Sequence, residues 1–592
     1  TSFCCLSGTR CGNMLRHPCS EGPHNRAEVL LSTSERTVNS SNIIIINNIN
    51  NNRKQSHFQE TKKNRSSTGK MLEQEVCNES DVSEGQMKQV EFGSGKILLS
   101  KYNGQISAVS GKCTHYGAPL ITGAYKDGKV RCPWHGACFN AVTGDIEDFP
   151  GLDSLHKYEV AIKNGKVIVK GSENTLKDFR CIKPMEDSCA TKEIFLIIGG
   201  GGAAITCAET LRQQGFTGKI IMATSENHVP YDRPKLSKML NAEPSKLYLR
   251  TPEFLKEKNI EVLYGKKAMK VDLQDKTVVF EDGTSQKYTK LFTATGGSPK
   301  LLNVPGSELG GVLYLRTPDD ANQIDKLCPE KEIVILGTGF ISMELAAYFS
   351  SKCKSVTVIG SGRTKYPFEK LLGDRIGKMY YNQHTSKGVK LIMDSPVKEL
   401  VGENGKVAGV VLSNGQTIKA DVVLVGIGVT PSTKYFNGAG VQMNSLGYVI
   451  VDKYLCASSD VYCGGDIVSF PYHYGDNEMI NIGHWQLASN HGRCAAMNML
   501  GKETPCVTVP FFWTQQYGKS LRYAGYAGGY DEILYEGNVE ELTFAAYYFR
   551  KGKFVAIACI NMGAKASEMA LLIQDNQLPS MEDMKAKITS KE

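Results

Sequence analysis

The sequence predicts a multidomain chain: an all-β domain, two α/β domains on parallel sheets, and a C-terminal α+β domain. Three patterns predict it. Residues 90–171 break into short apolar or β-branched runs at 96–100, 106–109, 130–132 and 167–169, divided by turns such as Asp127-Gly128 and Asn164-Gly165. Such runs between turn dipeptides read as antiparallel strands. A continuous apolar run, a glycine-rich turn and a helical stretch then follow one another twice, from Glu193 and from Glu332, the rhythm of βαβ units. Beyond residue 505, strands near 522–526 and 553–560 form a separate unit.

Composition bounds what these domains can do. The 592 residues are enough for several domains at roughly 100–200 residues each. Apolar and charged fractions of 41% and 22% are those of a globular protein. No apolar run approaches the roughly 18 residues of a membrane span, so no transmembrane segment is expected. The net charge of +8 is uneven: residues 1–70 hold ten Lys/Arg and four Asp/Glu, a net of +6, which leaves +2 for the rest. A near-neutral bulk excludes nucleic acid as an expected partner. Eighteen cysteines fall well below disulfide-scaffold density, so free thiols and an intracellular setting, cytoplasm or mitochondrion, are expected.

The N-terminal 70 residues do not read as folded. They are poor in aromatics and rich in Ser and Asn, with the biased run Asn42-Ile-Ile-Ile-Ile-Asn-Asn-Ile-Asn-Asn-Asn52. Such a segment buries too little apolar surface to offset its ordering entropy. The chain begins with Thr, so a fragment or a misplaced start is expected, with Met14 and Met71 as candidate starts. Glu21, Glu28 and Glu35 argue against a transit peptide, a class poor in acids.

The β domain carries the stretch around which the rest is organised. It reads Cys113-Thr-His115-Tyr-Gly-Ala-Pro, then Cys132-Pro-Trp-His135-Gly-Ala-Cys-Phe. Two thiolates and two imidazoles suit zinc or iron–sulfur. Zinc ligand pairs are commonly Cys-Cys followed by His-His, whereas here each loop holds one Cys and one His. That division suits a Rieske 2Fe–2S cluster, in which two Cys hold one iron and two His the other. The motif resembles the Rieske motif, which assigns Cys113 and Cys132 to one iron and His115 and His135 to the other.

The first glycine turn, Gly199-Gly-Gly-Gly-Ala-Ala204, sits between a strand and a helix, the context a dinucleotide fingerprint requires. Gly199 makes the turn, Gly201 admits the pyrophosphate, and Ala204 packs helix on strand where Gly is commoner. The next strand, 219–223, ends near Glu226, the candidate for the ribose hydroxyls. The second turn, Gly337-Thr-Gly339-Phe-Ile-Ser342, opens a helix to about residue 350, and 355–359 is the following strand. Two such units imply two bound nucleotides.

Further phrases carry a resemblance to the pyridine nucleotide–disulfide oxidoreductase superfamily, in its Rieske-bearing, apoptosis-inducing-factor-like branch. They are Thr293-Ala-Thr-Gly296, Gly426-Ile-Gly428-Val-Thr-Pro431, Val461-Tyr-Cys-Gly-Gly465-Asp466, Pro230-Tyr-Asp-Arg-Pro-Lys-Leu-Ser-Lys238, His484-Trp485-Gln486 and the stretch from Trp513 to Tyr526. The resemblance implies an all-β Rieske domain followed by two α/β dinucleotide-binding (Rossmann-like) domains and a C-terminal α+β domain. It implies FAD, a 2Fe–2S cluster and NAD(P)H as cofactors. Arg233 and Lys238 are implied to touch FAD, Asp466 its ribityl chain, Trp485 its ring. Lys238 and Glu344 are implied at the flavin–nicotinamide contact, where they stand as the catalytic candidates. Gly337, Gly339, Ser342 and Arg363 are the nicotinamide-side candidates. The relatives implied by this branch carry Glu where this chain has Gly360.

The expected division is a disordered low-complexity segment over 1–70, the Rieske 2Fe–2S domain over 72–171, a linker over 172–191, the FAD-binding domain over 192–317 and again over 421–504, the NAD(P)-binding domain over 318–420, and the C-terminal domain over 505–592. One superfamily trait is missing. A thiol relay needs two cysteines in reach, and the flavin domain has only Cys207 in the region shortly after the first fingerprint, so disulfide reduction is rejected.

The expected function is electron transfer from NAD(P)H through FAD and the cluster to an unidentified acceptor. A nicotinamide gives two electrons at once, a Rieske cluster takes one, and a flavin does both, so the flavin belongs between them. The alternative is a redox-sensing, apoptosis-related effector with slow NAD(P)H oxidation. A Rieske oxygenase would need a mononuclear iron held by two His and a carboxylate, and the sequence after the cluster domain is nucleotide-binding instead.

Overall fold

Residues 71–172 fold because their alternating apolar positions have two cores to face. In the computed structural model, which describes residues 70–361 and 364–590, a six-stranded antiparallel sheet runs in the order Met71–Asn78, Lys166–Ser172, Lys157–Lys163, Gln105–Ser110, Gly95–Tyr102, Met87–Phe92. Ile97 and Leu99 pack with Phe92, Tyr158 and Val167 on one face, while Leu98 packs with Val109, Val130 and Phe139 on the other. A strand buried on both faces reads as a continuous apolar run, and Ile97-Leu-Leu-Ser100 is one. A four-stranded antiparallel sheet, Ala124–Lys126, Lys129–Arg131, Cys138–Asn140 and Ile146–Asp148, carries the second Cys/His loop. Cys132, expected to end a strand, is instead the first residue of that loop.

The connector 172–191 is not featureless. It holds a short helix, Asn174–Lys177, and a strand, Arg180–Cys181, paired with Ser154–Leu155. It therefore folds back onto the β domain before the chain moves on. The expectation for residues 1–70 lies outside the described residues, apart from Lys70.

The first glycine turn joins Ile194–Ile198 to the helix Gly202–Gln213. The sheet runs Ile260–Leu263, Lys219–Ala223, Ile194–Ile198, Lys290–Thr293, Val461–Cys463, Cys456–Ser458. The first five strands are parallel and the last is antiparallel. The chain leaves this sheet after Thr293 and rejoins it at Val461. In between it builds a second, all-parallel sheet: Val312–Leu313, Val422–Val425, Glu332–Leu336, Ser355–Ile359, Lys390–Ile392. The helix Phe340–Phe349 follows the second glycine turn.

The C-terminal unit is α+β. Five antiparallel strands, in the order Phe511–Gln516, Lys519–Gly525, Lys553–Ile560, Thr543–Arg550, Glu532–Asn538, are followed by the helices Lys565–Gln574 and Met581–Thr589. Among the described residues no helix is long and apolar enough to cross a membrane.

Candidate cluster and dinucleotide site

The two Cys/His loops repeat one backbone design. In the first, the Cys113 N–H donates to the Ala118 carbonyl at 2.8 Å and the Gly117 N–H to the Cys113 carbonyl at 2.9 Å. In the second, the Cys132 N–H donates to the Ala137 carbonyl at 2.8 Å and the Gly136 N–H to the Cys132 carbonyl at 3.2 Å. Gly117 and Gly136 both adopt φ of 77°, which glycine alone takes without steric cost. Equivalent turns thus bring the four side chains together.

They meet as two pairs. The Nδ1 atoms of His115 and His135 lie 3.1 Å apart. The Cys113 and Cys132 thiols hydrogen-bond each other. Among the described residues, no three His, Cys, Asp or Glu side chains converge on a single ion. One zinc would need all four to converge; a thiol pair and an imidazole pair fit a two-iron cluster. Burial, with Lys235 and Arg180 nearby, pushes the His115 pKa down to about 3. Burial first, then the neighbouring His115 ring and the cations Arg522 and Lys238, push His135 well below its ordinary value. Both rings are therefore neutral, the form that ligates metal. Cys132 is held below the usual thiol range by its hydrogen bond from Cys113, with the Trp134 and His135 N–H groups adding to it. These residues fit a 2Fe–2S cluster.

The cluster loops are held from behind. Arg131 is fully buried; it donates to the Gly136 carbonyl at 2.9 Å and to Asp148 at 2.7 Å. Removing one partner of such a buried pair costs about 3–5 kcal/mol. Arg131 also reaches Gln574 at 2.9 Å, and the Ser567 hydroxyl donates to the Cys132 carbonyl at 2.8 Å. Thr508 donates to Asp148 at 2.8 Å, and the Tyr116 hydroxyl, whose ring stacks on His115 at 3.7 Å, donates to Asp232. The β domain is thereby seated, cluster end first, on the nucleotide-binding and C-terminal units.

Behind the seat lies a cavity of about 1010 Å³. Gly199, Gly201, Glu226, Arg233, Lys238, Asp466 and Trp485 all line it. A Cβ on Gly199 would come within 2.3 Å of the Ala294 carbonyl, while at Gly201 it would meet nothing within 4 Å. The first glycine is thus needed for the turn, and the second leaves an open cradle. Ala204 is fully buried in the helix–sheet core. Glu226 accepts from Tyr231 at 2.7 Å and from Arg233 at 2.9 Å. The donor set, two guanidinium groups beside a helix N-terminus, suits a dinucleotide pyrophosphate. Sequence reasoning missed the second of these, Arg316. It lines the same cavity, and burial, then the facing Arg233, pulls its pKa down to about 10.

Lys238 and Glu344, predicted together, form an ion pair at 2.8 Å in the cavity wall. Glu344 is buried and also accepts from Thr514 at 2.8 Å and from Ser237. Gly337, Gly339 and Ser342 do not line this cavity; Ile341 and Glu344 from the same helix do. Gly337 turns the chain as Gly199 does, with a Cβ position 2.3 Å from the Gly426 carbonyl. Gly339 has open space and the Ser342 hydroxyl donates to the Gly426 carbonyl at 3.2 Å. Arg363 lies outside the described residues. Cys207 is fully buried against Met499, and burial alone raises its pKa.

Sequence reasoning gave no role to Trp513, which proves central. It lines the cavity and packs against His135, with ring centroids 4.2 Å apart and planes tilted by 48°. Phe511, fully buried, lines the same cavity and lies against Gly136, where a Cβ would come within 2.5 Å of its ring. The only signals were the scarcity of tryptophan, three in the chain, and the place of Trp513 on a half-buried strand.

Three family models match the chain. The pyridine nucleotide-disulphide oxidoreductase family matches residues 195–492, the Rieske [2Fe-2S] domain residues 73–159, and the reductase C-terminal domain residues 511–588. Apoptosis-inducing factor 3 of Homo sapiens is 44% identical over 507 residues, covering 84% of this chain and 83% of its own. A ferredoxin reductase of Rhodopseudomonas palustris superposes with a TM-score of 0.60 at 30% identity, covering 62% of this chain and 91% of its own. A covalent putidaredoxin reductase–putidaredoxin complex gives 0.62 at 27% identity, covering 65% and 94%. The chain belongs to the pyridine nucleotide-disulphide oxidoreductase family, as an NAD(P)H- and FAD-dependent electron-transfer oxidoreductase that also carries a Rieske 2Fe–2S domain.

Proposed function

We propose that electrons from NAD(P)H pass through FAD to the chain's own Rieske cluster and from there to a separate acceptor. One observation carries this reading: Trp513 lines the dinucleotide cavity and at the same time packs its ring against that of His135, the ligand proposed for the cluster. When bound, the flavin converts a two-electron hydride donor into a one-electron donor, and the cluster receives single electrons. The protein's part is to fix the distance between them and to exclude water. Gly136 and Phe511 close the seam, and Arg131, Ser567, Thr508 and Tyr116 hold the two units in register.

The site roles follow the same reading. Gly199, Gly201, Arg233, Arg316 and Asp466 hold the flavin dinucleotide, and Trp485 borders its ring. The Lys238–Glu344 pair positions the flavin–nicotinamide contact; its carboxylate is saturated by Lys238, Ser237 and Thr514, so we assign it no proton transfer. Gly337, Gly339 and Ser342 shape the nicotinamide dinucleotide turn. Every cysteine among the described residues is a free thiol, which supports a cytoplasmic or mitochondrial setting.

Anaerobic titration with NAD(P)H, following flavin absorbance and the cluster signal together, tests this. The expected result is flavin reduction followed by cluster reduction in the same chain. A cluster that stays oxidised beside a fully reduced flavin would overturn it.

A further inference from the structure

If the cluster is seated against the flavin cavity, electrons need a second way out. His135 is flanked by two indoles. Trp513 lies on the cavity side at 4.2 Å; Trp134 lies edge-on at 6.4 Å, with 39% of its surface exposed. The chain has three tryptophans: Trp485 and Trp513 line the cavity wall, and Trp134 stands at the surface.

The backbone that carries the exposed indole is tied to the C-terminal sheet: the Arg522 Nε–H donates to the Trp134 carbonyl at 3.3 Å. An exposed loop tip is ordinarily polar, so a large apolar ring exposed beside His135 suits a contact surface. Tryptophan and arginine are the side chains most enriched where binding energy concentrates.

Charge narrows the kind of partner. Four cations surround the ligands: Arg522 and Lys238 at His135, Lys235 and Arg180 at His115. Lys238 is paired with Glu344 and Lys235 with Asp232. Arg522 and Arg180 instead reach only backbone carbonyls, of Trp134 and His115, among their hydrogen bonds to described residues. One guanidinium is therefore left at each cluster loop for an incoming carboxylate.

We propose that Trp134, with Arg522 beneath it, is the docking point at which an electron-accepting protein with an acidic face takes electrons from the cluster. The proposal rests on the electron path given above. One electron leaves the reduced cluster and enters the partner's one-electron centre; no atom or proton is exchanged.

The test uses the full chain loaded with FAD and cluster. It is reduced with dithionite, freed of excess reductant, and mixed by stopped flow with oxidised cytochrome b5, an acidic one-electron haem protein, or with the basic cytochrome c. Cytochrome b5 should be reduced faster at low ionic strength, with the advantage lost as salt is raised, because complementary charge acts mainly on encounter. Trp134→Ala should slow cytochrome b5 reduction about tenfold, a hot-spot-sized loss, and Trp134→Phe should restore most of the rate. Arg522→Gln should lower the rate and flatten its salt dependence. The cluster's paramagnetic signal should be equal in all variants. Faster reduction of cytochrome c at low salt, no reduction of cytochrome b5, or a wild-type rate in Trp134→Ala would each overturn the proposal. Because dithionite loads the cluster directly, a failure of the flavin-to-cluster path appears separately, as a cluster that NAD(P)H cannot reduce.

Discussion

The imidazole of His135 and the indole of Trp513 pack against each other with centroids 4.2 Å apart and ring planes tilted by 48°. They come from positions 378 residues apart in sequence (513 − 135). Trp513→Leu should therefore separate two half-reactions. Flavin reduction by NAD(P)H should keep its rate, since the Lys238–Glu344 pair and the glycine cradle are untouched. Reduction of the cluster should slow by about tenfold or more, equivalent to roughly 1.4 kcal/mol of barrier. Stopped-flow traces at a flavin and a cluster wavelength read the two steps separately, and equal slowing of both would refute the assignment.

His135→Ala removes one of the two imidazoles whose Nδ1 atoms lie 3.1 Å apart. The cluster signal should disappear. FAD binding and its reduction by NAD(P)H should survive, because the residues proposed to hold the flavin, within 199–233 and at 316, 466 and 485, lie outside the loop. Loss of FAD from this variant would show that the cluster loop is part of the flavin fold.

Gly136 is the tightest point of the seam. Its φ of 77° and the 2.5 Å approach of a Cβ to the Phe511 ring leave no room for a side chain. Gly136→Ala should strain the loop by about 1–2 kcal/mol and push the seated unit away from the cavity. Cluster content should fall or its reduction by NAD(P)H should slow, while Gly165→Ala, at an exposed turn of the same β domain with a φ of 71° and nothing within 4 Å of its Cβ position, should leave both unchanged.

Much of this was legible from local spacing. The paired Cys/His loops and the two glycine turns each depend on residues within a few positions of one another, and in the structure the two His rings meet and both turns form. What was not legible comes from the packing of distant segments. Trp513 and Thr514 reach the site only because the C-terminal sheet is docked against the nucleotide units, and Asp232 meets Tyr116 only because the β domain is. Arg316 comes from within the nucleotide units and carries no local motif. The strand boundary at Cys132 and the short helix at Asn174–Lys177 were missed for a similar reason: tertiary contacts, not propensity, fix them.

The cluster should be of low potential. Ala137 and Phe139 are fully buried beside the second loop at positions where high-potential Rieske centres resemble Ser and Tyr. Neither has a hydroxyl to donate to a cluster sulfur or ligand. Fewer hydrogen bonds place the midpoint toward the lower end of the roughly −150 to +300 mV Rieske range. Ala137→Ser should raise it, as read by a redox titration of the paramagnetic signal. A strongly positive midpoint in the unmodified protein would contradict this.

The nicotinamide preference turns on the strand Ser355–Ile359. In an NAD site an acid after this strand holds the ribose 2′-hydroxyl. Here the next residue is Gly360, whose N–H donates to the Ile392 carbonyl at 2.8 Å, so the strand end has the expected geometry without the carboxylate. A 2′-phosphate is then not repelled, and the basic residues after it, Arg363 and Lys365 in the sequence, offer charge to pair with it. NADPH should reduce the flavin at least as fast as NADH. Gly360→Glu should shift preference to NADH. A Cβ there would lie 3.2 Å from the Met393 carbonyl and 3.3 Å from the Thr338 methyl, a fit that needs only a few tenths of an ångström of give. Gly360→Ala is the control: it carries the same Cβ without the charge and should leave the preference unchanged. Stopped-flow reduction by each nucleotide decides between them, and a strong NADH preference in the unmodified chain would falsify the argument from Gly360.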